Sequence, residues 1–225
     1  DVGVAMGAGG TDVARNVADI VLATDDLGGI IDALRLGRAT YDNIRKVLRY
    51  LVATNASETM TMFSAALFGQ AEPLTPLQLL WLNLVTDVFP AIALGLEPPE
   101  TDVLDRPPHD PKAHIMQVRD FRRVLAEGAV ISLAAFAGGK AGTPGSPAAF
   151  HSLTIAQLVH AFASRSDLHG LAELKSRPAG PWLYRSVALS AALQAGAQFL
   201  PPLRRMLNLA PMGGRDLAAA ALSAG

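Results

Sequence analysis

Five side chains in two apolar stretches carry oxygen where oxygen is costly to bury. Asn55 and Glu58 stand three apart within Leu51–Phe68, and Asn83, Thr86 and Asp87 fall within Leu77–Leu96. Helical positions three and four apart share a face, so each stretch presents one polar stripe. If the two stripes face each other, two carboxylates, two amide oxygens and a hydroxyl converge. Hard oxygen donors of that kind suit Ca²⁺, which takes six to eight oxygens in flexible geometry. Pro90 would loosen the helix after Asp87 and free carbonyl oxygens to join them. Other chemistries stay open. Asn55, Asn83 and Thr86 can serve as hydrogen-bond glue between helices. Glu58 and Asp87 can be protonated and structural, or relay protons.

The stretches that hold these residues are apolar enough to lie in a membrane. A carboxylate deep in hydrocarbon costs several kcal/mol unless something compensates it, and a cation does so directly. The whole chain of 225 residues is 50% hydrophobic and only 17% charged. An ordinary soluble domain carries roughly 25% charged residues, so membrane residence is the first reading. The net charge of −1 gives nucleic acid nothing to bind, and no nucleic-acid partner is expected. With no cysteine, disulfides and thiolate metal sites within these residues are excluded. Asp1–Gly7 has no initiating methionine and no basic region, so it is not a signal peptide, and the chain reads as a piece of a longer protein.

Residues 1–34 read as a small α/β segment. Val2–Met6 is a strand stopped by Gly7-Ala8-Gly9-Gly10, Thr11-Asp12 caps a short helix to Ala18, and Asp19–Ala23 is a second buried strand. The glycine run lacks the residues of a phosphate loop and counts as a turn. Asp25-Asp26 opens a helix that continues without proline. Residues 35–50, with Arg38, Arg45, Lys46 and Arg49, form a stalk, and the chain enters the bilayer near Tyr50. Residues 51–225 make a transmembrane domain of about five spanning helices and a shorter last one. The expected crossings are 51–68, 77–96, 124–138, 150–163 and 182–200, the first two joined by a tight turn at Gly69–Pro73. About 20 apolar residues span the hydrocarbon core, with a lower limit near 17. Lys and Arg gather in the stalk, in the proline-rich loop Glu97–Arg123 and in the loop Arg165–Pro178, which places those three on the cytoplasmic side. Arg204 and Arg205 fall on the other side and run against that trend. The fold class is thus mainly α, a multi-pass helical bundle preceded by a small α/β part, with the lipid bilayer as its partner.

Single polar residues elsewhere carry less. Gln157 either faces the cluster or packs, His160 reads as a bonded or interfacial histidine, and Arg185 snorkels from a segment end.

Several segments resemble a cation-transporting P-type ATPase. Asp1–Gly7, Gly10–Ala14, Ala18–Leu22 and Gly37–Lys46 are similar to the end of its phosphorylation domain, a HAD-like fold, and to the stalk into its fifth membrane helix. Asn83–Asp87 and Asp105–Pro108 are similar to the sixth helix and following loop of the calcium-pump branch. The resemblance implies a pump driven by ATP through an aspartyl-phosphate, with Ca²⁺ as the transported ion. It implies that Asn55, Glu58, Thr86 and Asp87 bind one Ca²⁺, and that Asn83 and Asp87 help to bind a second. Gln157 falls where reticulum-type pumps carry a glutamate, a departure that runs against a full two-ion site and leaves a single ion, or a different one, as the expectation. The catalytic aspartate, the nucleotide domain and the first membrane helices would belong to the missing amino-terminal half, where ATP and Mg²⁺ act; no catalytic residue is expected here. The membrane would be the plasma membrane if the source is bacterial. A pump for Mn²⁺ or a monovalent cation (Na⁺, K⁺ or H⁺), and a non-catalytic membrane bundle, are the alternative readings.

Overall fold

A computed structural model describes residues 2–68, 74–110, 112–142, 147–166 and 179–224. The expected turn at Gly69–Pro73 and all of the loop Arg165–Pro178 beyond Ser166 lie outside the described residues. The chain is mainly helical and divides into two compact units, Asp1–Asp42 with Pro98–His109, and Asn43–Glu97 with Asp110–Gly225.

In the first unit β1 (Val4–Met6) and β2 (Ile20–Leu22) pair in parallel, Val4 against Ile20 and Met6 against Leu22, with α1 (Asp12–Val17) between them in sequence. Thr11 caps α1 by accepting from the Ala14 N–H at 3.2 Å, and Asp12 lies in the first turn, where the helix end favours an acid. The expected buried strand differs. Ala5 and Leu22 are buried, but Val4, Ile20 and Val21 are exposed.

The glycine turn is a turn, as read, and it is closed by an unexpected residue. Asp25 takes a positive φ of 55° and turns back, accepting from the backbone N–H groups of Ala8 at 2.9 Å and Gly9 at 2.6 Å. The donors a phosphate would need are therefore occupied. At Gly10 a Cβ would lie 2.0 Å from the Met6 carbonyl oxygen, so no larger residue fits. The next helix, α2 (Gly28–Leu67), starts later than Asp25-Asp26 suggests, since Asp26 instead accepts from the Gly28 N–H at 2.8 Å.

Residues 98–109 belong to this first unit rather than with the membrane part. Arg38 donates to the carbonyls of Val103 at 3.1 Å and Arg106 at 2.7 Å. Arg106 in turn pairs with Asp42 at 2.9 Å and with Glu100 and Asp102 at 2.7 Å each. Hydrogen bonds to Asp102 and the charges of the two nearby acids hold the Arg106 guanidinium above its ordinary pKa.

The second unit holds α2 from Asn43 onward and the helices α3 (Pro76–Leu82), a π-helical turn (Asn83–Val88), α4 (Phe89–Gly95), α5 (Val118–Ala141), α6 (Ala148–Ala163), α7 (Pro181–Phe199), α8 (Pro201–Met206) and α9 (Gly214–Ala224). Thr75 and Gln78 form a capping box at the start of α3, with Pro76 in the first turn, where its missing N–H is harmless. α5 begins earlier than the apolar run at Val124, because Gln117 and Asp120 make a second capping box and the intervening arginines keep helical spacing. α5, α6 and α9 pack together, and α7 lies against α4, α6 and the π-helical turn. Gly128 permits close approach of α5 to α2: a Cβ there would lie 3.1 Å from the Ala53 carbonyl oxygen.

Two helical stretches, Pro76–Gly95 and Val118–Ala141, are long and apolar enough to cross a membrane among the described residues, and α6 is a shorter apolar helix. Their outward side chains, such as Leu80, Leu84, Ile92, Val130 and Leu133, are exposed apolar groups. Inside, Trp81 donates to Gln194 at 2.9 Å, Gln194 to His151 Nδ1 at 3.1 Å, His151 Nε2 to Gln198 at 3.1 Å, and Gln198 to the Ala210 carbonyl at 3.2 Å. This chain of bonds accounts for the two glutamines that interrupt the apolar run of α7, and it fixes the tautomer of His151.

Candidate cation site

α2 buries a polar face made of Tyr50, Thr54, Ser57, Glu58 and Thr61 at helical spacing; Tyr50 and Glu58 meet the π-helical turn, whereas Thr61 donates to Ser132 of α5. The π-helical turn brings Asn83, Thr86 and Asp87 to meet that face, and α6 adds Gln157. The contacts are direct. Asn55 Nδ2 donates to Asp87 Oδ2 at 3.2 Å, Asn83 Nδ2 to Glu58 Oε2 at 3.3 Å, and Gln157 Nε2 to Glu58 Oε1 at 3.1 Å. Thr86 Oγ1 lies 2.7 Å from the Leu82 carbonyl and 3.1 Å from Gln157 Oε1, and can donate to either. The six residues expected from the sequence thus form two hydrogen-bonded groups, Asn55 with Asp87, and Asn83 and Gln157 on Glu58 with Thr86 on Gln157; Thr86 and Asp87, adjacent in the chain, bring the two side by side. Asn55 alone among them is exposed, reaching Asp87 from the edge of the helix.

Glu58 and Asp87 are 6% and 4% exposed. No Lys or Arg occurs from residue 51 to residue 96, and among the described residues neither carboxylate has an ion-pair partner. Glu58 receives an amide donor on each oxygen. Asp87 receives less: its Oδ1 is buried with no partner in bonding geometry, and the nearby Thr54 hydroxyl, which also acts on this carboxyl, donates to the Leu51 carbonyl at 3.1 Å. An orphaned buried carboxylate oxygen forfeits the hydration it had in water, which leaves it an acceptor open to a cation. Among the described residues no three His, Asp or Glu side chains gather, so the charge here comes from two carboxylates and the remaining oxygens are neutral.

One expectation fails. The carbonyls near Pro90 do not join the cluster, because other side chains already hold them. Tyr50 donates its hydroxyl to the Thr86 carbonyl at 2.7 Å, and Ser190 donates to the Val85 carbonyl at 2.5 Å. Tyr50, Ser190, Thr54 and Ser57 were not singled out from the sequence. The helical spacing of Tyr50, Thr54 and Ser57 ahead of Glu58 was a usable signal; a lone serine in an apolar helix was not. His160 stays outside the cluster. It stacks at 6.0 Å on Tyr50, with Ser164 at 3.2 Å and Glu127 at 3.7 Å. Arg185 places its guanidinium over the Trp182 ring at 5.0 Å.

A family profile described as "Cation transporting ATPase, C-terminus" matches residues 71–225. The chain belongs to the P-type cation-transporting ATPases. It is 42% identical over 175 residues to a "Calcium-transporting ATPase" of Bacillus subtilis (strain 168), an alignment covering 74% of this chain and 20% of that protein. The chain therefore spans about a fifth of the length of this relative. Within the family match lie α3, the π-helical turn with Asn83, Thr86 and Asp87, and α6 with Gln157. Asn55 and Glu58 precede it on α2.

Proposed function

We propose that this chain is the carboxyl-terminal part of an ATP-driven pump that moves Ca²⁺ across a membrane through an aspartyl-phosphate cycle. In this reading Asn55, Glu58, Asn83, Thr86 and Asp87 form the intramembrane ion site, with Gln157 as a neutral member. The observation that carries it is the pair of buried carboxylates without a basic partner, one of them with an unpartnered oxygen. Two carboxylates match the charge of one divalent cation, which supports a single ion per site. The amides of Asn83 and Gln157 now turn their NH₂ groups to Glu58, and a half-turn of the terminal torsion would present oxygens instead. The identity to a calcium-transporting relative supports Ca²⁺ as the cargo.

The helices that hold the site would be part of a multi-pass bundle with crossings by α2, α3–α4, α5, α6 and α7. The stalk and the loops after α4 and α6 would face the cytoplasm. The small α/β part would be the end of a HAD-like phosphorylation domain. ATP and Mg²⁺ would act in the rest of the pump, and α2, continuous from Gly28 to Leu67, would carry the phosphorylation signal toward Glu58.

The test is phosphoenzyme formation from ATP in membranes carrying the full-length protein, with Ca²⁺, Mn²⁺, Na⁺ and K⁺ titrated separately. Phosphoenzyme that depends on Ca²⁺ and disappears in Asp87→Ala is the expected result. Dependence on another ion would reassign the cargo, and an Asp87→Ala variant that behaves as wild type would remove the site from this cluster.

A further inference from the structure

Pro90 withdraws one backbone donor from the helix that carries Asp87. Counting back four residues, its partner in α-helical register is Thr86; counting back five, its partner in π-helical register is Val85. A proline has no N–H for either carbonyl. Both carbonyls nevertheless accept from a side chain of another helix: Tyr50 of α2 bonds Thr86, and Ser190 of α7 bonds Val85. Both side chains are fully buried, so water does not compete for these bonds.

We infer that Tyr50 and Ser190 are positioning residues that stand in for the missing N–H of Pro90 and withhold the Thr86 and Val85 carbonyls from the ion, leaving side-chain oxygens to select it. The withholding half rests on the proposed cation site, whereas the substitution for Pro90 stands without it. Held from both flanks, the π-helical turn keeps the Thr86 carbonyl on the Tyr50 hydroxyl and the Val85 carbonyl on the Ser190 hydroxyl, while the Asp87 side chain meets Asn55 of α2. A released carbonyl would add a hard oxygen near the cation. Ca²⁺ accepts extra oxygens at variable geometry, whereas ions that prefer an octahedral set of six gain less. Loss of either hydroxyl should therefore change the preference between ions and not merely weaken binding.

The experiment uses the full-length protein with Tyr50→Phe, Ser190→Ala and Ser190→Thr. In detergent, deuterium uptake by peptides covering residues 80–95 is expected to rise in Tyr50→Phe and Ser190→Ala and to return to the wild-type level in Ser190→Thr. Unchanged uptake in both hydroxyl-deleted variants would overturn the inference. In membranes, the ratio of half-saturating Mn²⁺ to half-saturating Ca²⁺ for phosphoenzyme formation is expected to rise severalfold in Tyr50→Phe and Ser190→Ala and not in Ser190→Thr. A shift of both ions by the same factor would reduce the pair to a purely structural role and overturn its part in selection. Wild-type protein that forms no ion-dependent phosphoenzyme would instead refute the proposed function, and deuterium uptake alone would then decide the inference.

Discussion

Asp87 is the least comfortable residue of the cluster. Its buried Oδ1 lacks a donor, so the ion-free protein bears a desolvation cost there that a neutral side chain would avoid. Asp87→Asn is thus expected to raise the melting temperature of the detergent-solubilised protein in the presence of chelator while abolishing ion-dependent phosphorylation. A lower melting temperature for Asp87→Asn would mean that the oxygen has a donor after all. Gln157→Leu should do the opposite, because it strips a donor from Glu58 Oε1 without replacing it. A loss on the order of 1–3 kcal/mol is expected by denaturant titration. At this scale the sequence was informative where chemistry repeats at helical spacing, as at Asn55 with Glu58 and Asn83 with Thr86 and Asp87. It was silent on Ser190, whose partner is a backbone carbonyl on another helix and leaves no pattern along the chain.

Helices were legible as apolar runs, but their ends and irregularities were set by local hydrogen bonds. α5 gained more than a turn before Val124 through the Gln117–Asp120 capping box, and the π-helical turn had no signature beyond the proline that follows it. Two glycines test how closely these helices meet. A Cβ at Gly128 would press on Ala53, Ala56 and Ser57 of α2, whereas one at Gly37 would meet nothing within 4 Å. Gly128→Val is expected to destabilise by about 1–3 kcal/mol and Gly37→Ala to stabilise by about 0.5–1 kcal/mol. Thermal unfolding of the two variants checks both signs at once.

For the molecule as a whole, composition pointed to a membrane bundle with an α/β part before it; helices run through all five segments expected to cross, and two of them, Pro76–Gly95 and Val118–Ala141, are long and apolar enough to do so among the described residues. The division into units was not legible. It places residues 98–109 with the first unit through Arg38 and Arg106, contacts between residues more than sixty positions apart. Because the chain has no cysteine, its crossings can be mapped one engineered thiol at a time. Cysteine at Lys112 should react with an impermeant maleimide from the cytoplasmic side, and cysteine at Lys140 from the opposite side only. Labelling of both from one side would remove α5 from the set of crossings. Acidity offers another global readout. Burial raises the Glu97 carboxyl above its ordinary range, against the bond it accepts from the Gly180 N–H. The native state then holds a proton that the unfolded chain releases, so this contribution to stability is present at low pH and is lost as pH rises through and above the usual carboxylate range. Glu97→Gln should flatten that slope in chemical denaturation followed against pH.

The uneven treatment of the two carboxylates has a kinetic side. If this cluster is the proposed cation site, an incoming ion would find the Asp87 Oδ1 without a bonded donor, whereas at Glu58 it would first have to dislodge the amides of Asn83 and Gln157. Capture would then proceed in two beats, a fast grip by Asp87 and a slower locking step as the amides turn away from Glu58. Release would run in reverse, with the amides re-forming their bonds to Glu58 as the ion leaves and lowering the barrier to its departure.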